Sequence, residues 1–176
     1  DMERIKQLVN NSTNTVFGCR QEKNTIKEFE TIQNCKVIDG QKRCEYVIGN
    51  FNNEFEIVLV GKIDGVTENG EIIEIKNRIN KNFNFLKDYE KPQIMTYLWM
   101  HKAKQGFLVE NLKSKKKSEI NVITVDYKDN YVEEYVIPNV ERYFEFFKEF
   151  MESEDLKIAL LKGDEAGVYN YFVENY

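Results

Sequence analysis

The chain has 176 residues, 41% of them hydrophobic and 13% aromatic, enough for a sizeable core and too much for wholesale disorder. Its net charge of −5 excludes blanket electrostatic attraction to nucleic acid, so any such binding must use a local basic face. Three cysteines, Cys19, Cys35 and Cys44, are too few for a disulfide framework and short of the four thiolates that usually hold an iron–sulfur cluster. No stretch reaches the roughly 20 apolar residues of a membrane span, and the start has no apolar signal core. One domain over residues 1–176 is expected, in a reducing intracellular setting. Opening on Asp1 is consistent with a piece of a longer chain.

In chain order, residues 2–10 read as a short helix. A second helix is expected over about 18–33, where Cys19, Glu22, Ile26 and Phe29 share one stripe. Cys35–Ile38 and Cys44–Ile48 read as short strands separated by Asp39-Gly40. Phe55–Asp64 is a longer strand ending on Asp64, and its run Ile57-Val58-Leu59-Val60 predicts cover on both faces. A turn containing Asn69-Gly70 leads to a strand over Glu71–Lys76. After a polar connection at 77–90, Pro92 opens a helix to about Lys104. Gly106–Leu112 and Ile120–Tyr127 are further strands, joined through the Lys113–Lys117 cluster, which reads as a solvated loop. Pro138 begins an aromatic helix whose residues 143–150 follow core spacing, and a helical tail broken at Gly163 ends the chain. The pattern predicts an α/β (α+β) fold with a central mixed sheet flanked by helices.

Two charges are out of place in this pattern. Asp64 ends a strand that otherwise reads as core. Glu74 and Lys76, two apart, project from one face of the next strand. Charges on a covered face are costly unless something compensates their desolvation. A divalent cation held by Asp64 and Glu74 would do so, with the Ile75 carbonyl as a further hard oxygen of the type Mg²⁺ prefers. For Asp64 and Glu74 to share a face, the loop between their strands must hold an odd number of residues. A three-residue loop, Glu68-Asn69-Gly70 with Gly70 left-handed, or a bulge restoring parity, is therefore expected.

The spacing Ile63-Asp64 followed by Glu74-Ile75-Lys76 resembles the PD-(D/E)xK nuclease superfamily, with Ile in place of the motif's Pro. Gly18-Cys19-Arg20-Gln21-Glu22 is similar to the Gly-x-x-x-Glu helix of its lambda-exonuclease and YqaJ branch. Gln93-Ile94-Met95-Thr96-Tyr97 is similar to the Gln-x-x-x-Tyr helix of RecB-like nucleases. The resemblance implies a restriction-endonuclease-like core and a metal-dependent deoxyribonuclease leaving 5′ phosphates. One or two Mg²⁺ (or Mn²⁺) ions would bind Glu22, Asp64, Glu74 and the Ile75 carbonyl, with no iron–sulfur cluster. Asp64, Glu74, Lys76 and Gln93 are the expected catalytic set. Arg78, Gln93 and Tyr97 are expected to meet the DNA, or in the case of Gln93 and Tyr97 to support Lys76. End-directed digestion, and the oligomer that often accompanies it, is an expectation from the branch. A structure-selective or restriction-like endonuclease and a non-catalytic nucleic-acid-binding module on the same fold are the alternatives. His101 reads as an ordinary helix residue and Cys19 as a small core residue. The richness in Asn, Lys, Ile and Glu matches an AT-rich genome, viral ones included.

Overall fold

In a computed structural model of the chain, residues 21–51, 55–113, 118–128 and 130–176 are described. The expected helix at 2–10, the start of the next one with Gly18 and Cys19, and residues 114–117 of the lysine cluster lie outside them. The chain, expected as one domain, divides into two compact units, Asp1–Asp129 and Asn130–Tyr176.

The first unit is α/β, as the pattern predicted. A helix α1 over residues 21–33 precedes strands β1 (Val37–Phe51), β2 (Phe55–Thr67) and β3 (Ile72–Arg78). Helix α2 (Lys91–Met100) then crosses to β4 (Gln105–Lys113), and β5 (Ser118–Asp126) follows. The strands form one mixed sheet in the order β1-β2-β3-β4-β5, antiparallel except for the β3–β4 pair that α2 connects.

Alternation along β3 sorts its side chains between two faces. Ile73 and Ile75 pack with Phe107 and Val109 of β4 against Phe29 of α1. Asn111 donates to Thr25 at 2.6 Å, which fixes α1 along the sheet one turn beyond Glu22. The even positions of β3 (Glu74, Lys76, Arg78) turn instead towards α2, whose buried face is Ile94, Met95 and Leu98.

The β2–β3 loop has the predicted parity. Gly65 pairs with Ile73 and Val66 with Ile72, and Thr67 N–H donates to the Glu71 carbonyl at 2.9 Å. Three residues, Glu68-Asn69-Gly70, close the turn with Gly70 at φ +85°.

Four expectations are corrected. The two short strands around Asp39-Gly40 are one continuous β1, because a register shift between Val37 and Asp39 and a left-handed Gln41 (φ 58°) absorb the glycine without breaking the ladder. Asp64 does not end its strand, since β2 runs on to Thr67. Nor is the Ile57–Val60 run covered on both faces. Ile57 is buried but Val60 is 55% exposed, because β2 pairs with β3 only at Gly65 and Val66. Helix α2 also stops at Met100, where His101 caps it and Lys102 turns left-handed.

The second unit begins with a π-helical turn, Val132–Val136, and continues as α3 (Ile137–Glu152), α4 (Glu154–Leu161) and α5 (Glu165–Asn175). Gly163 interrupts the last two, as expected. Phe146 packs on Phe172 and Tyr176, and Glu149 accepts from Tyr171 and Tyr176. The aromatic helix is not a closed core: no α3 side chain is fully buried and Tyr143 is 52% exposed. No helix among the described residues is long and apolar enough to cross a membrane.

Gly70 tests the loop. Gly70→Ala is expected to destabilise the protein by about 1–2 kcal/mol, the cost of a left-handed alanine, while Gly70→Asn recovers much of it. Urea midpoints report this, and an unchanged midpoint for Gly70→Ala would mean the turn has another conformation.

Candidate active site

The site lies where β2 and β3 part. Their ladder ends at Gly65–Ile73, so the next residue pair in register, Asp64 and Glu74, stands at the fork. Ile75 has lost its backbone partner on β2. The Asp64 carboxylate replaces it, accepting the Ile75 N–H at 2.8 Å. N–H and C=O of one strand residue point the same way. The Ile75 carbonyl therefore faces the same gap.

On the other side of β2, the ladder between Gly40–Gly65 and Lys42–Ile63 sets Gln41 opposite Asp64. The Gln41 amide donates to Asp64 Oδ1 at 3.2 Å and to Glu22 Oε2 of α1 at 2.8 Å. Gln41 thus joins Glu22 of α1 to Asp64 of β2, and Glu74 of β3 lies near enough for their charges to be felt. Burial pushes the Asp64 carboxyl up to about 7, and the nearby Glu74 and Glu22 charges add to the effect against the Ile75 hydrogen bond. Burial likewise raises Glu74, although the adjacent Lys76 ammonium opposes the shift. Among the described residues, no three acidic, histidine or cysteine side chains stand close enough to share a metal ion as placed. Gln41 spans Glu22 and Asp64, and Lys76 takes the Glu74 oxygen, so the acidic groups are held by protein donors.

Lys76 joins the fork to α2. Its ammonium donates to Glu74 Oε1 at 2.8 Å and to Gln93 Oε1 at 2.9 Å. The Gln93 amide in turn donates to Tyr97 Oη at 3.2 Å, one turn along α2. The Tyr97 ring lies so close to Gly61 of β2 that a Cβ there would overlap it. Only glycine lets α2 approach this far, and the approach aims the Gln93–Tyr97 pair at Lys76.

Arg78, expected at the DNA backbone, is placed otherwise. Its side chain is only 11% exposed, held by Glu90 at the start of α2 and by Glu110 of β4. Two carboxylates saturate its guanidinium, which makes it a brace between β3, β4 and α2. Glu110, fully buried, also accepts from the Phe83 and Asn84 N–H groups at 2.9 Å and from Asn121 at 3.2 Å. Burial alone would raise Glu110, yet these donors together hold it below the usual range.

Sequence reasoning missed Gln41, Glu90 and Glu110. Glu110 carried the signal that exposed Glu74, a carboxylate closing the apolar run Phe107-Leu108-Val109. Gln41 carried none, because its role comes from cross-strand register. A cleft of about 530 Å³ lined by Lys27, Glu30, Cys35 and Glu68 contains none of the site residues.

Neither a model of any protein family nor a curated protein matches the chain. A solved structure does: the crystal structure of the archaeal protein SSO0001 superposes with a TM-score of 0.55 at 18% identity over 81% of this chain. The chain spans 63% of that protein's length. At this identity the likeness establishes a shared fold.

Two outcomes test this geometry. Folded Asp64 keeps its proton to about pH 7, against about pH 4 unfolded, so between those values the folded state binds the extra proton. Stability through this carboxyl therefore falls as pH rises across the window and levels off above it. In chelator, Asp64→Asn is expected to flatten the decline in melting temperature between about pH 5 and pH 8. A wild-type slope in the variant would locate the proton elsewhere. Separately, Glu110→Ala takes one of its two carboxylates from Arg78 and leaves the Phe83 and Asn84 N–H groups without their acceptor, and should cost about 3–5 kcal/mol in urea unfolding. A loss below about 1 kcal/mol would make the brace dispensable.

Proposed function

We propose that this chain is a metal-dependent DNA nuclease of the PD-(D/E)xK type, related to the lambda-exonuclease, YqaJ and RecB-like branch and acting inside a cell. The observation that carries the reading is the fork: desolvated Asp64 and Glu74 at the point where two strands separate, with the Ile75 backbone between them and Lys76 alongside. The Lys76 ammonium only partly offsets the desolvation of Asp64 and Glu74, so both carboxylates keep a raised affinity for protons.

The donor set fits a hard divalent cation in its chemistry: carboxylate oxygens of Glu22, Asp64 and Glu74 and the carbonyl of Ile75. For an ion to be shared, the Gln41 amide must move from between Glu22 and Asp64. A bound Mg²⁺ or Mn²⁺ would polarise the phosphoryl oxygen and lower the pKa of a nearby water. The residues do the rest. Lys76 orients the attacking water, whose oxygen bonds to phosphorus as the P–O3′ bond breaks, or neutralises charge growing on the phosphoryl oxygens. Gln93 holds the Lys76 ammonium, and Tyr97 holds Gln93. The product keeps a 5′ phosphate and the departing O3′ gains a proton.

Incubation of a linear duplex and a covalently closed circle with Mg²⁺, Mn²⁺ or chelator tests the reading. Metal-dependent loss of the linear DNA alone is expected of end-directed digestion, whereas attack on the circle identifies an endonuclease. Lys76→Ala is expected to lower the cleavage rate by about 10²-fold or more while DNA binding persists. Undiminished cleavage would remove Lys76 from the chemistry. Binding without any metal-dependent cleavage would instead make the chain a binding module.

A further inference from the structure

The segment between β3 and α2, residues 79–89, has no place in the scheme above, yet it is a built structure. Its two ends are clasped twice, by Lys76–Gln93 and by Arg78–Glu90. Its middle is anchored by the Phe83 and Asn84 N–H groups on buried Glu110. A surface loop with joined ends and internal packing is an Ω-loop, a class that is frequently functional. This one begins three residues after Lys76 and ends four before Gln93, so it is tethered on both sides to the proposed site.

What the loop displays is unusual for a chain of net charge −5. Residues 79–89 carry Lys81 and Lys87 against the single acid Asp88. Lys87 lies 3.0 Å above the centre of the half-buried Phe83 ring and donates to the Tyr89 hydroxyl at 2.8 Å. Phe85 meets Phe83 edge-on at 6.3 Å. Phe85 and Tyr89 nevertheless remain 59% and 70% exposed. Two large rings held out on an anchored, cationic loop do not serve folding, since burying them would stabilise the chain by about 25 cal/mol per Å². Aromatic rings interspersed with lysines, here Lys81, Phe83, Phe85, Lys87 and Tyr89, are the composition by which proteins grip unpaired nucleotides: rings stack on bases and ammonium groups meet phosphates.

We propose that the 79–89 loop binds single-stranded nucleic acid, stacking unpaired bases on Phe85 and Tyr89 beside the phosphodiester site. The inference rests on the nuclease reading for its place in a reaction, and it narrows the substrate to DNA with a frayed or single-stranded end. Duplex DNA, with its bases already stacked and paired, offers these rings no free base face.

Fluorescence anisotropy of the full chain with a labelled oligothymidylate and a blunt duplex of equal length, in chelator at fixed low salt, tests it. Phe85→Ala and Tyr89→Ala are each expected to weaken single-strand binding by roughly 5- to 100-fold, with duplex binding changed by less than about twofold. Phe85→Trp should retain binding and add a fluorescence that the oligonucleotide quenches, beyond that of Trp99. Unchanged single-strand affinity in both alanine variants, or equal losses on strand and duplex, would overturn the proposal. So would a change of oligomeric state on sedimentation with no loss of strand affinity, which would make the rings a contact between copies. Metal-dependent cleavage by the same wild-type preparation separates the two readings. Cleavage with indifferent rings sinks the loop alone, and ring-dependent strand binding without cleavage keeps the loop and sinks the nuclease.

Discussion

One hydrogen bond organises the site: the Asp64 carboxylate accepting the Ile75 N–H at 2.8 Å. A strand that leaves its neighbour must find other partners for its backbone groups or expose them. Here a side chain of β2 replaces the β2 carbonyl that Ile75 of β3 has lost. Asp64 is thereby fixed in the gap with one oxygen spent on the backbone and the other turned to Gln41. Loop parity makes this possible. With Glu68-Asn69-Gly70 between the strands, Asp64 and Glu74 fall in register, and the register puts both acids at the same opening.

Two acidic centres among the described residues of the first unit have opposite electrostatic outcomes. Glu110 is fully buried but is met by two backbone N–H groups, an amide and a guanidinium, which stabilise its charge and lower its pKa. That is the condition for a carboxylate to serve as a structural anchor. Asp64 has a backbone N–H and a shared amide against two neighbouring acids, and its pKa rises. Groups with perturbed affinities for protons, in a gap that exposes a backbone carbonyl, concentrate at functional sites. Arg78, two residues beyond Lys76 on the same face of β3, links the two centres through Glu90 at the start of α2. The brace holds the helix that carries Gln93, and Gln93 holds Lys76.

The likeness to SSO0001 extends over most of this chain but carries only 18% identity. Such a pattern is expected when a fold is retained by apolar alternation and turn geometry, which many sequences satisfy. Burial of Ile73, Ile75, Phe107 and Val109 demands size and hydrophobicity and tolerates exchange among them. Function is then carried by a few polar positions and has to be judged from them.

By itself the sequence determined the order of elements from α1 to β5, apart from splitting β1 at Asp39-Gly40, the odd-membered loop at Gly70, and the suspicion attached to Asp64, Glu74 and Lys76. These follow from local rules: side-chain alternation, the glycine requirement of a left-handed turn, and the cost of charge in an apolar strand. Tertiary structure alone decided that Arg78 is a brace, that Gln41 bridges Glu22 and Asp64, and that Val60 lies open. Each of those depends on a partner distant along the chain: Glu110 in β4, the opposing register of β1, and the early separation of β2 from β3. A residue's periodicity reports which way it points; its partners are set by how strands align and where they part.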